Sequence, residues 1–198
     1  MLYKILRILA LIVFKILYRC EIVGLENMPD QGPFIIAANH KSNRDPLMIS
    51  ALVKPQIHWM AKKELYENKF LAFFLTSLGA FPVDRQANDI KAVKTAMQIL
   101  KSNQILGVFP EGTRVKEIDP SKVKSGVALL GHRTKSKIVP IYIEGNYKLF
   151  RKIKIHIRPS IDLSEYKKLT QEEYHEISQE MMKIIYYGVD ENRNLSSK

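Results

Sequence analysis

Asn39-His40-Lys41-Ser42-Asn43-Arg44-Asp45-Pro46 lies between two apolar runs, Phe34-Ile35-Ile36-Ala37-Ala38 before it and Leu47-Met48-Ile49-Ser50-Ala51-Leu52-Val53 after it. The first run is short and reads as a buried strand, while the second opens a helix. His40 then stands in a strand-to-helix loop, where α/β folds keep their chemistry. Asp45 before Pro46 also makes a good helix start, with an N-cap carboxylate and proline at the first helical position. Pro46 pushes Asp45 out of the helical region, as a cap requires. The two roles are compatible. A capping carboxylate that faces back over the loop holds one imidazole nitrogen and leaves the other free as a base.

Downstream, Phe109-Pro110-Glu111-Gly112-Thr113-Arg114 follows the apolar run Ile105-Leu106-Gly107-Val108, so a second strand ends in a polar loop. Gly112 lets backbone N–H groups approach a ligand, and the planar fork of Arg114 suits phosphate or carboxylate. Taken alone, this hexapeptide also fits an ordinary turn with a surface ion pair between Glu111 and Arg114.

His40 and Asp45 with four residues between them, followed by the Phe109–Arg114 run, resemble the glycerolipid acyltransferase family. Within it the sequence is most similar to the 1-acylglycerol-3-phosphate (lysophosphatidate) acyltransferases. Gly79-Ala80-Phe81-Pro82-Val83-Asp84-Arg85 and Val139-Pro140-Ile141 match two further blocks in the same order. Gly24-Leu25-Glu26-Asn27-Met28-Pro29 and Lys124-Ser125-Gly126 also fit, so the similarity runs from about residue 20 to about 160. Pro82 departs from an aliphatic position of the family and marks an edge strand. Val115 replaces a common serine and leaves its loop one hydroxyl short.

The resemblance implies acyl transfer from a thioester of coenzyme A or acyl-carrier protein to the sn-2 hydroxyl of 1-acylglycerol-3-phosphate, giving phosphatidic acid. Acylation of glycerol-3-phosphate or another lysolipid is the neighbouring alternative. His40 would be the general base, oriented by Asp45. Arg85 and Arg114 would grip the phosphate, with Gly112 and Thr113 supplying backbone or hydroxyl donors. Glu111 would orient Arg114 or bond the glycerol hydroxyl. A backbone N–H near the His40 loop or at Gly112 would serve the oxyanion. No cofactor is expected beyond the thioester co-substrate.

With 198 residues, 46% of them hydrophobic, the chain is long enough for one domain with a real core. Its net charge of +11 is uneven: residues 162–198 carry five Lys or Arg against eight Asp or Glu, which leaves 26 against 12 in residues 1–161. Such a field favours an anionic partner, whether membrane, acidic protein, phosphorylated substrate or nucleic acid. A nucleic-acid-binding domain is disfavoured, because the aromatics fall in apolar runs and form no exposed stacking set. The single cysteine, Cys20, has no internal partner, fits a reducing compartment and reads as inert. No Cys/His cluster has metal-ligand spacing, so no metal site is expected.

Residues 1–19 read as an amphipathic helix, with Lys4, Arg7, Lys15 and Arg19 within an arc of about 120°. Its longest uncharged run, Ile8 to Phe14, is too short to span a bilayer, which needs ~20 apolar residues. The expected place is the membrane interface at the cytoplasmic face, with the cations at head-group level. Docking on the protein's own core is the alternative. Residues 20–188 are expected to form the acyltransferase domain and residues 189–198 a flexible tail.

Between these, strands are expected at Glu21–Val23, Ile57–Ala61, Phe81–Val83, Ile105–Phe109 and Ile138–Ile143. The run Phe70-Leu71-Ala72-Phe73-Phe74-Leu75 is apolar all round and reads as buried core, with an acyl groove or lipid contact as the other reading. Asn88 or Asp89 caps a helix, Gly126–Thr134 forms another, and Gln171–Gly188 closes the fold. Lys148, Arg151, Lys152, Lys154 and Arg158 form the densest cationic stretch, a solvated surface by default, with membrane or acidic-carrier contact as the other reading. Strands alternating with helices predict an α/β domain with a mostly parallel sheet, which would bring His40, Arg85 and Arg114 to one sheet edge.

Overall fold

Short β-branched runs form the strands and longer amphipathic runs the helices. In the computed structural model, which describes residues 2–85, 87, 89–114, 119–120 and 123–188, they alternate. The strands are β1 (Arg19–Val23), β2 (Phe34–Ala38), β3 (Ile57–Lys62), β4 (Phe81–Val83), β5 (Ile105–Val108), β6 (Lys137–Glu144) and β7 (Lys152–Ile157). The helices are α1 (Leu2–Leu17), α2 (Asp45–Leu52), α3 (Lys69–Ser77), α4 (Ile90–Lys101), α5 (Gly126–Thr134) and α6 (Gln171–Tyr187). Asn88, Val115 and the tail 189–198 lie outside the described residues. Asp89 caps α4, accepting from the Ala92 N–H at 2.9 Å.

The strands form one sheet in the order β1-β7-β6-β2-β5-β3-β4. β6, β2, β5, β3 and β4 run parallel; β7 is antiparallel to β6 and parallel to β1. Pro82 sits on β4, the edge strand, as its missing N–H requires. The crossovers β2–α2–β3 and β3–α3–β4 advance one way along the sheet, whereas β4–α4–β5 and β5–α5–β6 return. Right-handed connections put α2 and α3 on one face and α4 and α5 on the other.

Each face has its own core. Phe14 of α1 and Tyr18 just after it pack there with Met48 and Ile49 of α2 and with Phe34, Ile36 and Val139 of the sheet. On the other face α4, α5 and α6 meet Ile35, Leu106 and Ile138. A capping box between Thr170 and Glu173 starts α6, whose Met181, Ile184 and Ile185 are buried as their spacing predicts.

Two helices depart from expectation. No residue of α3 is buried, and Phe70 and Phe73 are 82% and 68% exposed, so the core reading of that run is overturned. An all-apolar helix has the same periodicity whether protein or something else covers it. Helix α1 stops at Leu17, so Arg19 starts β1 instead of ending the expected helix. It packs along α2, with Arg7 Nε donating to the Val53 carbonyl at 3.1 Å, and one of its three cations turns inward. Its outer side leaves Ile5, Ile8, Leu9, Ile12, Val13 and Ile16 exposed. Among the described residues, no helix is long and apolar enough to cross a membrane.

Gly107 of β5 faces Trp59 of β3; a Cβ there would come within 2.5 Å of two indole atoms and 2.7 Å of an Ile57 methyl. The glycine leaves room for the indole on the neighbouring strand. Gly107→Ala should lower unfolding free energy by about 1–3 kcal/mol through overpacking, as read by the urea midpoint. An unchanged midpoint would show that the strand pair has slack.

Candidate active site

Because β2 and β5 are adjacent and parallel, with Ala37 opposite Val108, the loops that follow them meet at one sheet edge. Asn39 continues β2 toward β6: its side chain accepts from the Ile143 N–H at 2.7 Å and donates to the Ile143 carbonyl at 3.2 Å. This fully buried amide mimics one more ladder pair and fixes where the loop departs. His40 is next, 7% exposed, with its ring stacked on Phe109 at 4.0 Å between centroids. Phe109 in turn stacks on Trp59 at 4.9 Å, and Trp59 Nε1 donates to Ser50 Oγ at 2.9 Å. The imidazole is the end of a three-ring column.

Asp45 is 0% exposed. Its Oδ2 lies 2.9 Å from His40 Nδ1 and accepts from the N–H groups of Lys41 and Ser42, both at 2.7 Å. Its Oδ1 accepts from the Tyr147 hydroxyl at 2.6 Å. The N-cap reading of Asp45 is corrected here. The residue is the first of α2 and Arg44 holds the cap position without a side-chain cap bond, so the carboxylate serves the preceding loop. With Nδ1 facing Asp45, Nε2 is the nitrogen left for chemistry.

Glu111 reaches back across the strand pair. Its Oε2 accepts from the His40 backbone N–H at 2.9 Å, and its Oε1 accepts from the Tyr186 hydroxyl of α6. Both oxygens are thus engaged, and neither the surface pair with Arg114 nor an orienting role toward it describes this residue. Burial pushes the Glu111 carboxyl above the ordinary range, against the bonds from Tyr186 and His40. Burial and the Asp45 charge also raise the Tyr147 hydroxyl, as burial and the Glu111 bond raise Tyr186. Both phenols therefore stay protonated donors. The oxyanion donors expected from the sequence are also engaged: the N–H groups of His40, Lys41 and Ser42 go to carboxylates and that of Gly112 to the Phe109 carbonyl.

The cations gather on the β4 side. Arg85 follows β4 and its carbonyl accepts from Lys124 Nζ at 2.9 Å; Lys124 N–H reaches the Pro110 carbonyl at 3.5 Å. Burial pushes the Arg85 guanidinium below its ordinary value, Glu64 pulling it up and the like charge of Arg114 pushing it down. Arg85, Arg114 and Lys124 thus share one neighbourhood beside the Glu111 loop. Gly112 turns that loop at φ +68°, a conformation that favours glycine, with Lys124 Cε 3.9 Å from where a Cβ would sit. Thr113 and Arg114 are exposed.

His40, Asp45, Glu111, Gly112, Thr113, Arg114 and Arg85 therefore fall on one connected edge. Sequence reading missed Tyr147, Tyr186 and Lys124. Only Tyr186 left a trace, since a tyrosine on the core side of a helix needs a partner for its hydroxyl. Cys20 is half-buried, its thiol raised by desolvation, which suits an inert role. Among the described residues no group of three His, Cys, Asp or Glu side chains is placed to hold a metal.

A sequence model of the family described as Acyltransferase matches residues 19–144. The chain is 36% identical over 141 residues to the 1-acyl-sn-glycerol-3-phosphate acyltransferase of Bacillus subtilis, covering 69% of this chain and 70% of that protein. It is 30% identical over 181 residues to the enzyme of that name from Streptococcus pneumoniae, covering 87% and 67%. The crystal structure of the 1-acyl-sn-glycerophosphate (LPA) acyltransferase from Thermotoga maritima shares the fold. Its TM-score is 0.70 at 23% identity, covering 91% of this chain and 76% of that one. The matched segment holds both loops with His40, Asp45, Glu111 and Arg114, and with that the chain belongs to the acyltransferase family.

Proposed function

We propose that this acyltransferase moves a fatty acyl group from a coenzyme A or acyl-carrier-protein thioester to the sn-2 hydroxyl of 1-acylglycerol-3-phosphate, giving phosphatidic acid. The observation that carries the reading is the placement of the buried His40–Asp45 pair on the same sheet edge as Arg85, Arg114 and Lys124. The ends of β2 and β4 stand three strand spacings apart, about 14 Å. A glycerol phosphate and an arginine side chain bridge that distance between them. The names of the relatives point to the same acceptor.

His40 Nε2 takes the acceptor's hydroxyl proton as the oxygen attacks the thioester carbonyl. Asp45 fixes the ring and stabilises the imidazolium. When the tetrahedral intermediate collapses, the C–S bond breaks and the imidazolium returns its proton to the thiolate. A thiol with pKa near ~8.5 leaves with little help, so no acyl-enzyme is required. Arg85 and Arg114 hold the phosphate, Lys124 supports them, and Gly112 and Thr113 shape the loop. Glu111 ties the His40 backbone to α6 through Tyr186. We further place the protein at the cytoplasmic membrane surface, with residues 1–19 as the attachment segment and residues 20–188 as the catalytic domain. The exposed apolar sides of α1 and α3 support this, since both helices belong to one face of the sheet.

The deciding assay offers lysophosphatidate and both thioesters and reads the products by mass; glycerol-3-phosphate and other lysolipids complete the panel. Phosphatidic acid from lysophosphatidate is expected, and a preference for another acceptor would reassign the substrate. His40→Ala should lower kcat by about 10²–10⁴-fold with the fold retained, and activity within a few-fold of wild type would remove His40 from the mechanism. Arg114→Ala should raise KM for the phosphorylated acceptor about ten- to a hundredfold. An equal effect on an acceptor lacking phosphate would contradict a phosphate grip.

Glu111→Gln tests the buried acid. Its folded pKa is raised, so its contribution to stability is fully present below the unfolded value and is lost as pH rises through the folded one. The stability difference should therefore move in favour of the glutamine variant as pH climbs through and above the ordinary carboxylate range. Parallel urea midpoints across that range would contradict the burial effect.

A further inference from the structure

Gly145–Arg151, which joins β6 to β7, has two exposed apolar residues at its tip: Leu149 at 57% and Phe150 at 67%. Scattered exposed apolar side chains need no explanation. These two are adjacent, and Phe150 is held at φ +61°, a left-handed conformation uncommon for a bulky residue. The loop is pinned there by the Phe150 N–H, which donates to the Leu17 carbonyl at 2.7 Å, and by the Arg19 N–H, which reaches the Arg151 carbonyl at 3.4 Å. The first bond goes to the last residue of α1 and the second to the first residue of β1. The tip is thus fixed at the C-terminal end of α1, the helix whose outer side leaves Ile5, Ile8, Leu9, Ile12, Val13 and Ile16 exposed.

The charges within the two segments are of one sign, and the carboxylates that border them, Glu21 and Glu144, pair with Lys152 and His156. Residues 1–20 and 145–151 contain Lys4, Arg7, Lys15, Arg19, Lys148 and Arg151 and no Asp or Glu. Lys15, Arg19, Lys148 and Arg151 are exposed. An apolar tip between two cations, beside an amphipathic helix with cations at its end, is complementary to an anionic bilayer. The same loop carries Tyr147, whose hydroxyl bonds Asp45 and whose ring meets Tyr18 edge-on at 5.6 Å. The loop that carries the tip is therefore tied through Tyr147 to the His40–Asp45 pair.

We infer that Gly145–Arg151 is a second membrane contact: Leu149 and Phe150 enter an anionic lipid surface while Lys148 and Arg151 meet its head groups. This inference rests on the membrane placement proposed above and adds to it a site in the catalytic domain itself. Docking through this loop brings the head-group layer to the side of His40, where the hydroxyl of a lipid acceptor must arrive. A helix alone would tether the protein without setting that orientation.

The test uses the full chain with vesicles of phosphatidylcholine alone and with about one third phosphatidylglycerol. Burying a Leu or Phe side chain is worth about a tenfold change in partition each. Leu149→Ser/Phe150→Ser should therefore lower partition onto the anionic vesicles about tenfold or more, with an unchanged thermal midpoint. Phe150→Trp gives an independent readout, because the sole native tryptophan, Trp59, is buried. Its emission should shift to the blue on the anionic vesicles.

Partition of the double variant within twofold of wild type, together with an unshifted Phe150→Trp emission, would overturn the inference while leaving the helical attachment standing. A wild-type chain that ignores both vesicle types would overturn the attachment reading itself and this inference with it. A wild-type dimer in solution that the double serine variant abolishes, with vesicle partition unaltered, would assign the tip to a second copy of the chain and overturn the lipid contact.

Discussion

The structure depends on a carboxylate with no solvent. An ionised side chain removed from water costs several kcal/mol unless its lone pairs are satisfied. Asp45 meets that demand with two backbone N–H groups, an imidazole and a phenol. The two N–H groups curl residues 40–45 around the acid, the imidazole is fixed in orientation, and Tyr147 ties the whole to a loop 102 residues away. Removing one partner of such a buried pair costs about 3–5 kcal/mol, so loop conformation and ring orientation are set by the same interaction.

Glu111 repeats the device on the other side of His40. It accepts from the His40 backbone and from Tyr186 on the closing helix, so α6, which lies beyond the matched family segment, still helps to hold the site. Tyr147 lies beyond that segment as well. Two acids inside the common segment are thus each completed by a tyrosine outside it. His40 sits between them, stacked on Phe109 and protected from lateral movement by Trp59 behind it. The parallel sheet then aligns this rigid edge with the cationic one, because β2, β5, β3 and β4 end on the same side.

Much of this was legible before any coordinates. The His40–Asp45 spacing, the strand before each loop and the existence of α4, α5 and α6 are local, and local patterns survive folding. The apolar spacing of α4 marks the helix but not its buried face, since Ile90 and Val93 are exposed while Ala92, Ala96 and Ile99 are buried. The roles of Glu111, Tyr147 and Tyr186 were not legible, since their partners lie 71, 102 and 75 residues away. A lone glutamate carries no mark of such a contact, and a core-side tyrosine such as Tyr186 marks only that its hydroxyl needs some partner. Asp45 looked like a helix cap because the same residue types serve both purposes; only the direction of its carboxylate separates them. The α3 run failed for a further reason. Periodicity reports that a helix is apolar all round, and exposure of Phe70 and Phe73 is a property of the surroundings.

The central claim is that Asp45 fixes the His40 ring with Nδ1 inward and Nε2 available to a hydroxyl. Nitrogen-15 spectra of the histidine-labelled protein near neutral pH measure this directly, with His40→Ala supplying the assignment among the five histidines. The account predicts a protonated Nδ1 and a lone pair on Nε2 in the free enzyme. A neutral ring carrying its proton on Nε2 would leave no base facing the acceptor and would contradict it.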